Sequence, residues 1–520
     1  MGNKCLAIIG AGGAALPFIE KAKLLGIKTV AFAKNGSVAQ NNVDIFVEEN
    51  SFDIDFICKK CRELGVDGVL ASNEMSTEVT AYVADRLGLP GNDVNLGFAA
   101  KNKFVMRSRV SVLKSIKQPL FELYDETHNY DFPVVVKAVD AGGKRGMTLV
   151  RQKCDLSGAV LKAKENSSNG QVLVEEYLEG GKEYSIECLS HDGIYEVIQY
   201  TKKEVSEPPF FAEIGHHQPA NLSEGNREKI KIAVKDVLQV LGINCGMAHL
   251  ELKIINNELF FIEVGARAGG DHIGDTLVPL STGFDYYKAA ILCSLGMYKS
   301  QSIKNIAYSG IYFHCKQNER LAPLFERSKI APWSIYNTLK ETTYSVVASN
   351  SEAVGSGYFI YCADTKLNLR THENCGYLAL ELNPLPNAYQ LIWNYYKKNG
   401  RNISDNDLKL GIKKFLTKGH VVAIVHNEQI IGFALLYCSR KDLLDAYICN
   451  VFVLEEYRGK GIFKILFDKA VWICKQEGFS SISLNVAQDN EHAIEVYNHL
   501  GFVTTGNRNE KNEIEMKLDI

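Results

Sequence analysis

Short apolar runs alternate with amphipathic stretches over the first hundred residues. The run Cys5–Ile9 predicts a strand, residues 14–25 a helix, 29–33 a strand, 55–64 a helix and Gly68–Ala71 another strand. Repeated strand–helix units predict a parallel, doubly wound sheet. Across residues 132–284 the pattern turns strand-rich, with glycine turns and scattered carboxylates, and 300–370 reads as mixed α+β without a chemical motif. A fresh start falls near Asn374: a strand at 377–382, helices at 388–398 and 405–417, and strands at 421–426, 430–438 and 446–454. No internal repeat or low-complexity segment interrupts this α/β and α+β multidomain pattern.

Composition narrows the classes. With 520 residues, 46% apolar and 23% charged, the chain is long enough for two or more ordinary cores. A net charge of −3 and the lack of a long basic run argue against nucleic acid or anionic lipid as partners. No apolar run reaches the roughly 18 residues of a membrane span, and the start MGNKCLAIIGAGG lacks the layout of a cleavable signal. Gly2 invites myristoylation, but Leu6 stands where that signal wants Ser or Thr. The 13 cysteines are scattered apart from Cys58 and Cys61, which sit on a helical stretch without a second pair for zinc. Reduced thiols in the cytoplasm are the expectation.

The glycine turn Gly10-Ala11-Gly12-Gly13-Ala14-Ala15 resembles a dinucleotide fingerprint, but the second strand ends in Ala33-Lys34-Asn35-Gly36, without the acid that holds ribose. An open helix N-terminus facing an anionic substrate is the simpler use of those glycines. Further on, an apolar strand delivers Lys137 into the basic loop Gly142-Gly143-Lys144-Arg145-Gly146, whose free N–H groups suit phosphates. The stretch Glu175-Glu176-Tyr177-Leu178 offers a strand edge for an adenine ring, with Glu183 nearby for ribose.

The sharpest signal is His249-Leu-Glu251-Leu-Lys253, a turn at 255–257, then Phe261-Ile-Glu263-Val-Gly-Ala-Arg267. In a hairpin centred on Asn257, Glu251 and Glu263 are equidistant from the turn. Alternation then puts His249, Glu251 and Lys253 on one face, with Phe261, Glu263 and Arg267 facing them. Cross-strand Cβ atoms are about 5 Å apart. Two carboxylates that close call for a hard cation such as Mg²⁺ between them, bridging nucleotide phosphates. Arg267 follows, placed for a transferring phosphoryl group.

In this order and spacing the motifs resemble the ATP-grasp superfamily over residues 1–370. The resemblance implies a Rossmann-like subdomain at 1–100, a nucleotide-binding region at 101–300 and its carboxy-terminal part at 301–373. Carried over, Lys103 and Lys137 contact the ATP phosphates and Gly142, Gly143, Lys144 and Gly146 form the phosphate loop. Glu175, Tyr177 and Leu178 line the adenine site and Glu183 takes the ribose. Glu251 and Glu263 hold magnesium, and Arg267 faces the γ-phosphate or acyl phosphate. Within the superfamily, Phe211-Ala-Glu213-Ile-Gly215-His216-His217 and the run Gly-Ala-Arg-Ala-Gly-Gly are similar to the L-amino-acid ligases. That likeness implies Glu213 as a further metal or substrate-side acid and His216 near the reacting carboxylate. It also implies small carboxylate and amine substrates, and a homodimer. One departure is Gly265, where many relatives have asparagine.

A second constellation lies at the other end. The strand at 446–454, which holds Val453, enters Arg458-Gly459-Lys460-Gly461 and a helix, a turn suited to a pyrophosphate. With Asn490, Tyr497 and Gly501-Phe502, it resembles the GNAT N-acetyltransferases over 374–520. That resemblance implies acetyl-CoA held by Val453, Arg458, Gly459, Lys460, Gly461 and Asn490, with Tyr497 protonating the departing thiolate. Asp445, Glu455 and Glu456 are candidates for the base. The expected function is a bifunctional enzyme: an ATP-dependent carboxylate–amine ligase joined to an acetyltransferase. The alternatives are a carboxylase or carbamoyl-phosphate type of ATP-grasp enzyme, and a non-catalytic ATP/acetyl-CoA sensor. The first lacks a biotin-carrier lysine motif or amidotransferase segment here; the second has no need of Glu251, Glu263 and Arg267 together.

Overall fold

The computed structural model describes residues 4–520 except 96, 330, 332, 340–342, 370–377, 382–385, 399–403, 427–428, 441, 460 and 511. It divides into two compact units, one of Met1–Arg320 with Thr338–Tyr358, the other of Leu321–Asn337 with Phe359–Ile520.

In the first unit, four parallel strands are ordered Ile45–Glu48, Lys28–Ala33, Cys5–Ile9, Gly68–Ala71. Their near-continuous apolar sequences fit burial on both faces, as parallel sheets require. The predicted helix at 14–25 is a short 3₁₀ turn followed by Leu16–Leu24, with Pro17 in its first turn, where no N–H is needed. Helix Ile54–Leu64 starts at the Asp53 cap, stops at left-handed Gly65, and buries Cys58 and Cys61 as core residues.

Two antiparallel sheets follow. The smaller is ordered Phe121–Leu123, Val172–Glu176, Val134–Ala138, Thr148–Val150. In the larger, six strands of this unit run Glu258–Gly265, Gly246–Ile255, Lys182–His191, Ile194–Val205, Glu213–Gln218, Tyr308–Phe313. Helix Glu224–Val240 turns Ile230, Ala233, Val234, Val237 and Leu238 into the core, together with Leu250, Leu252 and Phe261.

The hairpin that carries the two acids corrects the sequence reading in its route, though not in its outcome. Its turn is Asn256-Asn257, both left-handed (φ 50° and 63°), a two-residue connection that asparagine tolerates well. Pairing from that turn runs Ile255 with Glu258 up to Leu252 with Phe261; a bulge then shifts the register, so that Glu251 pairs with Glu263. Phe261 is consequently on the core face, fully buried, and does not face the acids.

The second unit has a seven-stranded sheet ordered Leu378–Glu381, Gly419–His426, Gln429–Arg440, Asp445–Val453, Ser481–Val486, Ile514–Asp519, Val503–Arg508. Helices Pro386–Lys398 and Asp405–Lys418 precede its second strand, while Ile462–Gln476 packs Ile462, Leu466, Ala470 and Ile473 into the core. The expected start near Asn374 lies outside the described residues.

Candidate active sites

A cleft of about 120 Å³ in the first unit brings together Lys103, Lys137, Glu175, Tyr177, Leu178, Glu183, Glu251 and Glu263. The smaller sheet contributes Lys137 and Glu175, which are two residues apart in cross-strand register; the larger contributes Glu183, Glu251 and Glu263. Lys103 opens the helix Lys103–Val110, capped by Asn102, and its Nζ donates to Ala141 O at 2.8 Å and lies 3.2 Å from Glu263 Oε2. Gly143 and Lys144 line the cleft; both are left-handed (φ 64° and 60°). Gly146, also left-handed, shapes the loop from behind, since a Cβ there would come within 2.9 Å of Asn166 Cβ. Gly142 packs close to the Glu74 carboxylate.

Glu175 is buried, with its carboxylate between Arg107 Nε and Lys137 Nζ, the latter at 2.6 Å. Burial alone would raise its pKa, but Arg107 and then Lys137 hold it at about 2. The residue expected at the adenine ring thus also anchors Lys137. Tyr177 supplies an aromatic wall, 6.0 Å from Phe211 between centroids, and Lys253 donates to Leu178 O at 2.6 Å. Glu183 lies directly across from Lys253 on the neighbouring strand.

The acids are embedded in alternating charge. Lys203, almost fully buried, lies 2.7 Å from Glu251 Oε1 and 2.9 Å from Glu213 Oε1. Lys144 is 3.3 Å from the same Glu213 oxygen. On the other side of Glu251, His249 Nε2 is at 3.2 Å, and its Nδ1 meets Glu187 Oε1 at 2.5 Å. Burial opposes a charged imidazole, yet Glu187 and Glu251 raise His249 to about 9. Burial also works against the Glu251 carboxylate, but Lys203 and His249 hold its pKa far below the ordinary value. An all-oxygen pair of acids beside two lysines is a donor set suited to a hard divalent cation on a polyphosphate.

Arg267 is aimed by Glu74, with Nη2 at 2.9 Å and Nε at 3.3 Å from Glu74 Oε2. Both line a larger cavity of about 500 Å³, which runs from the carboxyl ends of the parallel strands to the loop Arg267–Asp275 side. His216 has no exposure; its Nε2 is 3.4 Å from Glu213 Oε2 and 3.7 Å from Asp271 Oδ2, and neither ring nitrogen has a hydrogen-bond partner among the described residues. Glu213, His216 and Asp271 place ligand atoms within 4.8 Å of one another.

Sequence reading missed Arg107, Lys203, Glu74 and Glu187. Two left a signal: Arg107 is one helical turn beyond Lys103, and Glu74 follows a strand's carboxyl end, where open α/β sheets bind ligands. Glu187 left none, because its partners His249 and Gly269 are distant in sequence, and the link from Lys203 to Glu251 left none for the same reason.

In the second unit, parallel pairing between the central strands runs from Asp445 with Ser481 to Ile448 with Leu484 and ends there. Val453 lies beyond that point, paired to Gly432 on its other side. Arg458 Nε donates to Val453 O at 3.1 Å; Gly459 and Gly461 are left-handed (φ 74° and 77°), and Gly461 caps helix Ile462–Gln476. Lys460 lies outside the described residues. Asn490 caps the helix Glu491–His499, its side chain accepting from Ala493 N at 3.2 Å. Tyr497, on that helix, has its ring 5.9 Å from Phe463, in the first turn beyond Gly461, and burial raises its pKa. Asp445 is not near the strand's end: it begins the strand, buried, accepting from Ser481 at 2.8 Å and Ser483 at 2.6 Å. Glu455 and Glu456 follow the strand and are exposed.

Comparison with known proteins agrees with both halves. Residues 130–275 match the family described as ATP-grasp domain, and 385–502 the acetyltransferase (GNAT) family. The solved structure of an L-amino acid ligase from Bacillus licheniformis is similar at 25% identity and a TM-score of 0.58, over 70% of this chain and 95% of that one. Dapdiamide A synthase of Enterobacter agglomerans is 26% identical over 42% of this chain and 54% of its own length. Pyruvate carboxylase of Staphylococcus aureus is 24% identical over 49% of this chain and 21% of its own. The chain thus spans about a fifth to about half of these curated relatives. It carries an ATP-grasp domain and, after it, a domain of the GNAT acetyltransferase family.

Proposed function

We propose that the chain is a bifunctional enzyme, with an ATP-dependent carboxylate–amine ligase in the first unit and an acetyl-CoA-dependent N-acetyltransferase in the second. The observation that carries the first activity is the register pairing of Glu251 with Glu263 in a cleft that also holds Lys103 and Lys137. There MgATP binds as substrate, with Lys103 and Lys137 neutralising phosphate oxygens and Glu251 and Glu263 facing its magnesium ion. Arg267, aimed by Glu74, stabilises the charge on the phosphoryl group as it moves to the carboxylate oxygen. ADP leaves, an amine nitrogen attacks the acyl carbon, and inorganic phosphate departs from the acyl phosphate. His216 lies beside Glu213 and Asp271 near the larger cavity, where it is the candidate to take the amine proton.

In the second unit, the end of parallel pairing after Ile448 leaves the Val453 strand end to the pantetheine arm, and the Gly459–Gly461 turn to the pyrophosphate. The acceptor nitrogen attacks the acetyl carbon, giving up its proton to water, and the thiolate leaves. Tyr497, kept protonated by its raised pKa, supplies the proton. Amino acids are the proposed ligase substrates, and linked acetylation of substrate or product is the proposed reason for the fusion.

The test is release of ADP and phosphate from MgATP across pairs of amino acids, with products weighed by mass spectrometry. The expected product is lighter by one water than the sum of its pair, and gains an acetyl group when acetyl-CoA is added. ATP binding without substrate-dependent phosphate release would sink the ligase reading in favour of a sensor.

A further inference from the structure

Glu187 is fully buried in the middle of the strand Lys182–His191, and none of the steps above uses it. A buried carboxylate is costly unless its oxygens are satisfied. Both are, and in different directions. Oε1 meets Nδ1 of His249, its direct cross-strand neighbour, at 2.5 Å, and the far side of that imidazole reaches Glu251 Oε1 at 3.2 Å. Oε2 accepts from the backbone N–H of Gly269 at 2.9 Å, two residues beyond Arg267. Gly269 has no room for a side chain: a Cβ would stand 2.7 Å from His249 Nδ1 and 2.9 Å from Glu187 Oε1. One carboxylate therefore ties an acid of the nucleotide cleft to the loop that carries Arg267 and borders the larger cavity.

We propose that Glu187 and His249 are positioning residues of the ligase site, joined through Gly269 into a clamp that couples binding of Mg²⁺–nucleotide to binding of the acyl-donor carboxylate. This rests on the ligase reading above. The coupling follows from the short connections. His249, held by Glu187, orients Glu251 together with Lys203, and Glu187, held by His249, fixes the Arg267 loop at Gly269 while Glu74 aims the Arg267 side chain. A shift at either end loosens the other. Outer partners of metal-binding carboxylates characteristically govern metal affinity by about 10–100-fold.

The experiment uses the full chain and the variants Glu187→Gln, His249→Gln and Gly269→Ala. Mg²⁺ affinity is measured by calorimetric titration into the ADP-bound protein, and KM for the carboxylate and the amine by phosphate release with whichever pair the wild type ligates. Glu187→Gln is nearly isosteric, and it and His249→Gln are each expected to weaken Mg²⁺ binding about tenfold or more. Both are also expected to raise the carboxylate KM, with the amine KM unchanged and saturating Mg²⁺ recovering part of the carboxylate KM. Gly269→Ala, which disturbs the loop arm first, is expected to raise the carboxylate KM and to weaken Mg²⁺ binding as well. A Mg²⁺ effect without a carboxylate effect, or the reverse, in all three variants overturns the coupling. So does a loss of thermal stability with both constants unchanged, the mark of a purely structural group. A wild type that ligates no pair fails the ligase reading instead, while calorimetry still reports on the Glu187–Glu251 arm.

Discussion

At the residue scale the first site is a string of alternating charges: Glu187, His249, Glu251, Lys203 and Glu213, each within 3.2 Å of the next. Removing a middle member leaves buried partners uncompensated, which costs about 3–5 kcal/mol. Lys203→Met is accordingly expected to lower the urea midpoint of the first unit and to abolish phosphate release. Glu175 gives a pH signature. Its folded pKa of about 2 lies below its ordinary value of 4.5, so its contribution is present above pH 4.5 and lost as pH falls toward 2. Between pH 5 and 3, wild-type stability should fall more steeply than that of Glu175→Gln, as measured by denaturant unfolding. The pairing of Glu251 with Glu263 was legible in the sequence because alternation along one hairpin is local, whereas Arg267 lies past the strand end at Gly265 and lines the larger cavity. Lys203 was not legible, since two lysines adjoin at 202 and 203 and only the folded sheet decides which one points at Glu251.

At the element scale, the hairpin shows how a right answer can come by the wrong route. A turn centred on Asn257 and a two-residue Asn256-Asn257 turn differ by half a residue, enough to break the Glu251–Glu263 pairing, and the bulge before Glu263 restores it. Bulges depend on what the opposite strand offers and leave little trace in a single sequence. Glycine turns were easier to read, because left-handed backbone restricts the residue type directly. Gly461→Ala forces a Cβ into φ 77° at the opening of helix Ile462–Gln476, costing about 1–2 kcal/mol. The expected result is a raised acetyl-CoA KM, read by thiol release, with the ligase reaction unaffected.

At the scale of the whole molecule, the ATP-grasp and GNAT domains have separate cores. Glu263→Gln is expected to abolish ADP release while sparing acetyl transfer, and Tyr497→Phe to slow acetyl transfer, on the order of a hundredfold or more, while sparing ADP release. Paired assays on one preparation check both. The order of domains was readable because each brings its own periodicity and glycine turn. The division of 301–373 was not, since that stretch carries no chemical motif. The chain leaves the first unit after Arg320, returns for Thr338–Tyr358 and leaves again. During synthesis, then, the amino-terminal unit stays incomplete until residue 358 has cleared the ribosome, and Leu321–Asn337 must wait for a partner that has not yet been translated. A nascent chain stalled between these points would expose an unfinished amino-terminal unit to chaperones, and splitting the gene at Arg320 would reproduce that exposure permanently.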